Sequence, residues 1–113
     1  MKKEYRIKKN DEIQQLISKK TTVGNGYFIL YYHKNHDNKH FRFAVSVQKK
    51  YGNAVERNLM KRRIREVVKV NAFKNESEFF IVAKIKSKDL SFADIETHLK
   101  NLFAQAKILG EKE

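Results

Sequence analysis

Lys49-Lys50-Tyr51-Gly52-Asn53-Ala54-Val55-Glu56-Arg57-Asn58-Leu59-Met60-Lys61-Arg62-Arg63-Ile64-Arg65-Glu66 runs through the middle of the chain. Asn53 and Glu56 stand three residues apart, just ahead of a run with helical periodicity. That is the form of a capping box: the Asn side chain accepts from the Glu56 backbone, and Glu56 reaches back. The spacing predicts a helix from there to about Asn71, preceded by a basic turn, Lys49 to Gly52. At about 100° per residue, Arg57, Asn58, Lys61, Arg62, Arg65 and Lys69 share one arc roughly 140° wide. Met60, Ile64 and Val67 cluster outside it with Val68 nearby at the edge of the arc, and Arg63 lies off the basic arc. The helix therefore packs one face and offers a basic one.

Strands are predicted on either side. Tyr27 to His33 is aromatic and β-branched. Phe41 to Gln48 alternates, with Phe41, Phe43, Val45 and Val47 on one face and Arg42, Ala44, Ser46 and Gln48 on the other. The polar segment between them, His33 to His40, reads as a hairpin loop. Glu78 to Ile85 is apolar enough to be buried on both faces. Near the start, Asn10 to Lys20 reads as a short helix with an Ile13, Leu16, Ile17 stripe and Asn10 or Asp11 as its cap. Thr21 to Gly26 reads as a turn region. Ser91-Phe92-Ala93-Asp94 carries a second cap signal and opens a last helix, with Phe92, Ile95, Leu99, Leu102, Phe103 and Ala106 on its apolar face. The order α-β-β-α-β-α implies an α+β sandwich, with helices on a mainly antiparallel sheet.

With 113 residues, 41% of them hydrophobic, the chain has the size and apolar content of one folded domain, residues 1–113. It has no Pro and only four Gly, so no Pro- or Gly-rich linker divides it. Without Cys, disulfides and thiolate metal sites are excluded. The basic N-terminus Met1-Lys2-Lys3-Glu4-Tyr5-Arg6 lacks an apolar segment behind it, so no signal peptide is expected. No apolar run approaches the roughly 20 residues of a membrane span, so no membrane partner is expected and a cytoplasmic location is.

Charge is the loudest feature: 25 Lys+Arg against 13 Asp+Glu, a net +12. Residues 1–75 hold 19 basic and 6 acidic side chains, and residues 76–113 hold 6 and 7. A field of this sign draws polyanions, with nucleic acid foremost. Charge runs are usually solvated faces. Here, however, seven cations between residues 49 and 65 meet only Glu56 before Glu66, and Glu66, four residues on from Arg62, is the one acid spaced at i+4 to pair any of them. The repulsion is relieved by a polyanionic partner. Arg grips phosphate bidentately, Lys adds looser charge, and Gly52 allows a tight turn and close backbone approach. Phosphate contacts carry little sequence information, which points to recognition of RNA by shape.

A second surface is readable on the sheet. If Phe28, Leu30 and Tyr32 join Phe43 and Val45 in the core, then Tyr27, Ile29 and Tyr31 share the other face with Ala44 and Ser46. The small side chains leave a shallow trough floored by Tyr31, with Ile13 and Ile17 as its wall. Such a trough suits a single strand with bases against the ring. Apolar stripes more often simply pack a helix onto a sheet, and from the residues alone that reading is the stronger.

The string from Lys49 to Glu66 resembles the signature of the bacterial ribonuclease P proteins: Lys-Lys/Arg-x-Gly-Asn-Ala-Val-x-Arg-Asn, then a basic helix ending Lys-Arg-x-x-Arg-Glu. The likeness extends over almost the whole chain, from Tyr5-Arg6-Ile7-Lys8-Lys9-Asn10 to the final strand and helix. It implies a small α-β sandwich of order α-β-β-β-α-β-α, with four strands and a left-handed β-α-β crossover, as in a domain of the small ribosomal subunit. It also implies a short strand near Thr21–Val23. By the resemblance, Lys49, Lys50, Gly52, Asn53, Arg57, Asn58, Lys61, Arg62 and Arg65 contact a catalytic RNA. Ile13, Ile17, Ile29, Tyr31 and Ser46 belong to a cleft for the single-stranded 5′ leader of precursor tRNA. The chain is then a subunit of an endoribonuclease whose RNA performs the hydrolysis with Mg²⁺, held by RNA and substrate and by no dedicated protein site. Two departures stand out. Leu59 replaces a cation after Arg57-Asn58, and Ile13 and Ile17 replace aromatic residues of the first helix.

Other readings are weaker. A protein nuclease needs clustered carboxylates, and the basic region has only Glu56 and Glu66, ten apart. His33, His36 and His40 fit a polar loop better than a metal site. No catalytic residue and no small-molecule substrate is expected. The runner-up is a non-enzymatic RNA-binding module, such as a ribosomal protein or an RNA chaperone, and only the ordered signature separates the two.

Overall fold

The computed structural model describes residues 5–19 and 21–110. The elements are α1 (Asn10–Ser18), β1 (Thr22–Gly24), β2 (Phe28–Lys34), β3 (Arg42–Val47), α2 (Ala54–Lys69), β4 (Ser77–Ala83) and α3 (Phe92–Ala106). Lys20, where the sequence ended the first helix, and Met1 to Glu4, where no signal peptide was read, lie outside the described residues.

The four strands lie in the order β1-β2-β4-β3. β2 pairs antiparallel with β1 and β4, whereas β3 pairs parallel with β4. The antiparallel-dominated sheet and the short strand β1 are thus as expected. The hairpin expected between β2 and β3 does not form. β4 is buried on both faces, with Phe79, Ile81 and Ala83 fully enclosed and Phe80 nearly so. Such a strand takes the sheet centre, with a partner on each side, and so enters between β2 and β3. Asn35 to Phe41 therefore bridges past the end of β4. Its start is tied down by Asn35 N–H donating to Glu76 O at 2.7 Å.

One face of the sheet carries the main core. Phe28, Leu30, Phe43, Phe79 and Ile81 meet Met60, Ile64, Val67 and Val68 of α2 and Ile95, Leu99, Leu102 and Phe103 of α3. Phe92, placed by periodicity on the apolar face of α3, is instead 42% exposed, because it is the first residue of a helix whose first turn, Phe92 to Asp94, stands in solvent. Ser91 caps that helix as expected, accepting from Asp94 N–H. α1 packs alone on the opposite face, around Leu16. Its cap differs from expectation: Lys9 holds the N-cap position without a side-chain bond, and Asn10 is already helical. Asp11 and Glu12 in the first turn favour the helix start through the dipole instead.

Candidate nucleic-acid interface

The loop before α2 is built by the capping box read from the sequence. Asn53 Oδ1 accepts from Glu56 N–H at 2.9 Å, and Glu56 Oε1 accepts from Asn53 N–H at 3.1 Å. The other Glu56 oxygen takes Lys88 Nζ at 2.9 Å. Lys88 and the Asn53 N–H hold this carboxyl below its usual pKa. Gly52 has a role other than the tight turn expected. Its φ of 167° is extended backbone open to any residue. A Cβ there, however, would stand 2.6 Å from Glu56 Oε1 and 2.9 Å from its Cδ. Gly52 leaves the room that the capping carboxylate occupies. Tyr51 is buried and anchors the single 3-10 turn Lys49–Tyr51, so Lys49, Lys50 and Asn53 project into solvent. Burial also raises the Tyr51 pKa.

In α2 the row Arg57, Lys61, Arg65 is half-buried along the border of the packed face, while Asn58, Arg62 and Lys69 are exposed. The ion pairs among the described residues are Arg42 with Glu12 and Glu78, Lys88 with Glu56, and Lys100 with Glu96. None involves a cation of α2, so its basic face carries uncompensated charge. Leu59, 44% exposed, forms a shallow groove with Phe92, Arg62, Arg63 and Glu66.

The trough follows from strand register. On the α1 face the strands align as cross-rows: Ile29, Val82 and Ser46, then Tyr31, Phe80 and Ala44, then His33, Glu78 and Arg42. α1 lies over the third row, with Glu12 reaching Arg42 on β3 and Lys19 reaching His33 on β2. Leu16 pins it against Ile7, Ala44 and Phe80. Ile13 and Ile17 pack half-buried beside Tyr31 and Val82, leaving an apolar wall over the first two rows. Ile13, Ile17, Ile29, Tyr31 and Ser46 are thus brought to one face of the sheet. Tyr31 stacks at 6.0 Å on Phe80, which with Val82 completes the floor. The sequence reading missed Phe80 and Val82, because their place depends on β4 entering between β2 and β3.

The far flank of α1 is polar. Arg42 reaches Glu12 at 2.8 Å and Glu78 at 3.4 Å, and Lys19 Nζ donates to His33 Nε2 at 2.8 Å. Burial and the Lys19 ammonium lower the His33 pKa, which keeps the ring neutral and able to accept. This clamp orients α1 so that its apolar flank faces the trough. Among the described residues no group of three or more His, Cys, Asp or Glu is placed to hold a metal ion. No helix of the described residues is long and apolar enough to cross a membrane.

These surfaces sit on a chain with clear relatives. Residues 1–107 match the ribonuclease P protein family. The ribonuclease P protein component of Ligilactobacillus salivarius is 39% identical, covering 98% of this chain and 100% of the relative. The solved structure of the Staphylococcus aureus RNase P protein is 37% identical with a TM-score of 0.86, covering 94% of this chain and 98% of that one. A mutant of that protein superposes with a TM-score of 0.88 at 38% identity, over 95% of this chain and 92% of the other. Signature, fold and full-length similarity agree: the chain belongs to the ribonuclease P protein family.

Proposed function

We propose that this protein serves ribonuclease P through two surfaces with separate tasks. As a member of the family it is the protein subunit of an endoribonuclease whose catalyst is RNA, with that RNA and precursor tRNA as partners. The Lys49–Asn53 loop and Arg57, Asn58, Lys61, Arg62 and Arg65 of α2 dock on the catalytic RNA. The trough walled by Ile13 and Ile17 and floored by Tyr31, with Ile29 and Ser46, receives the single-stranded 5′ leader. The observation that carries this reading is the pair of unlike surfaces: α2 cations that form no ion pair among the described residues, and an apolar, aromatic-floored trough on the other face of the sheet.

The chain's own residues bind and orient. Cations on α2 neutralise RNA phosphates, and Tyr31 offers a ring to a base. Mg²⁺ enters through the RNA and the substrate, and the reaction takes place in the cytoplasm. The test is cleavage of a precursor tRNA at low Mg²⁺ with cognate catalytic RNA alone, protein alone, and both. Cleavage at the mature 5′ end only with both present is the expected result. Cleavage by protein alone, or no stimulation of the RNA, would overturn the assignment.

A further inference from the structure

A cavity of about 210 Å³ lies along the free edge of β3, lined by Arg6, Lys8 and Arg65 over Ile13, Ala44 and Val45. The segment before α1 touches that edge only briefly. Arg6 bridges to Phe43, and Ile7 N–H donates to Phe43 O at 2.8 Å. Beyond this bridge no described strand pairs with the edge. Ile13 and Ala44 also belong to the trough cluster, while Arg65 belongs to α2. The cavity is therefore the passage around the sheet edge from one surface to the other.

Its charge is unbalanced. Among the described residues no acid lines it, and neither Arg6 nor Arg65 forms an ion pair. Arg6 Nε is buried and has no hydrogen-bond partner among the described residues. Burial and the nearby Arg6 guanidinium together push the Arg65 pKa down, the mark of two like charges sharing a partly dehydrated space. A single anion removes both the repulsion and the unmet donor, and the planar guanidinium fork matches phosphate oxygens. The position on the path of a strand leaving the trough selects a backbone phosphate over a free ion.

We propose that Arg6 and Arg65 together hold one backbone phosphate of the single-stranded leader where it passes around the β3 edge between the trough and α2. This rests on the leader reading of the trough and moves Arg65 from the RNA-docking set to the leader path. The test uses the holoenzyme and precursor tRNAs carrying one uncharged methylphosphonate at each successive leader position. One position should weaken wild-type binding about tenfold, the low end for a charge-assisted bond. The same substitution should have no effect in the Arg6→Ala/Arg65→Ala protein. That variant should also lower the salt slope of precursor binding by about 0.7, the value for a single-strand phosphate. If the alanine variant fails to fold, Arg6→Lys/Arg65→Lys keeps the charge without the fork and should reduce the tenfold penalty. Equal sensitivity in wild type and variant, or no sensitive position, overturns the phosphate site. If wild type still prefers precursor over mature tRNA, the trough reading survives that failure. If it does not, both fall.

Discussion

Replacing Leu16 by alanine should release the helix that walls the trough while leaving the rest of the fold in place. Leu16 is the one fully buried residue of α1, at 3% exposure. The helix has nine residues, no side-chain bond at its start and no basic residue in its last turn. Isolated helices shorter than about 12 residues are marginal in water, so docking holds this one. Leu→Ala in a core costs about 2–5 kcal/mol. The cluster around Leu16 has only four buried members and opens to the trough, so the low end applies, about 2–3 kcal/mol. The Arg42–Glu12 pair is partly exposed and adds less than about 1 kcal/mol, too little to keep α1 docked. At 1.36 kcal/mol per tenfold, opening of α1 rises about 30- to 150-fold. Amide hydrogen exchange reads this directly: α1 amides should exchange faster by that factor, while β4 and α3 amides keep their protection. Precursor tRNA should then bind the holoenzyme no better than mature tRNA, at unchanged affinity for the catalytic RNA. Uniform loss of protection throughout the chain would refute α1 as a separately docked unit. A retained precursor preference with α1 open would refute it as the trough wall.

Four further outcomes are expected. Asn53→Ala removes one half of the capping box and should destabilise the protein by about 1 kcal/mol in denaturant unfolding. Gly52→Ala should cost a similar amount by displacing Glu56, with no backbone strain involved. The Glu56 carboxyl is held below its ordinary pKa of 4.5, so its contribution is present above that pH and is lost as pH falls through the folded value. The stability gap between wild type and Glu56→Gln should therefore be widest near neutrality and close in acid, as denaturation at a series of pH values would read. Arg57→Ala and Arg62→Ala should each weaken binding to the catalytic RNA and lower its log–log salt slope by about 0.9, measured by filter binding across salt concentrations.

Local signals carried far in this chain. The capping box at Asn53 and Glu56, the buried stripe Met60, Ile64, Val67 and Val68, and the Ser91 cap were all readable, because each depends on neighbours within one or two helical turns. The alternation in β3 likewise placed Phe43 and Val47 in the core and Ala44 under α1. Strand order was not readable. The polar segment from His33 to His40 looks the same whether it closes a hairpin or passes the end of a third strand. Only the double-sided burial of β4 gave a hint of the latter. That one topological fact puts Phe80 and Val82 into the trough floor. Gly52 misled for a related reason: a glycine suggests a special φ, but here Glu56, four residues on, needs the volume. The cavity at the β3 edge was beyond sequence reasoning, because Arg6 and Arg65 are far apart in the chain and meet only through the edge bridge.

The central claim is that docking on RNA and holding the leader belong to different surfaces. Its most direct test is a paired measurement on Tyr31→Ala and Arg62→Ala. One half is the dissociation constant for the catalytic RNA; the other is the ratio of precursor to mature tRNA affinity in the holoenzyme. Tyr31→Ala should lower the ratio about fivefold or more, as loss of one stacked base implies, and leave the RNA constant unchanged. Arg62→Ala should raise the RNA constant and leave the ratio unchanged. If each variant moved both quantities together, the two surfaces would be one, and the account would be wrong.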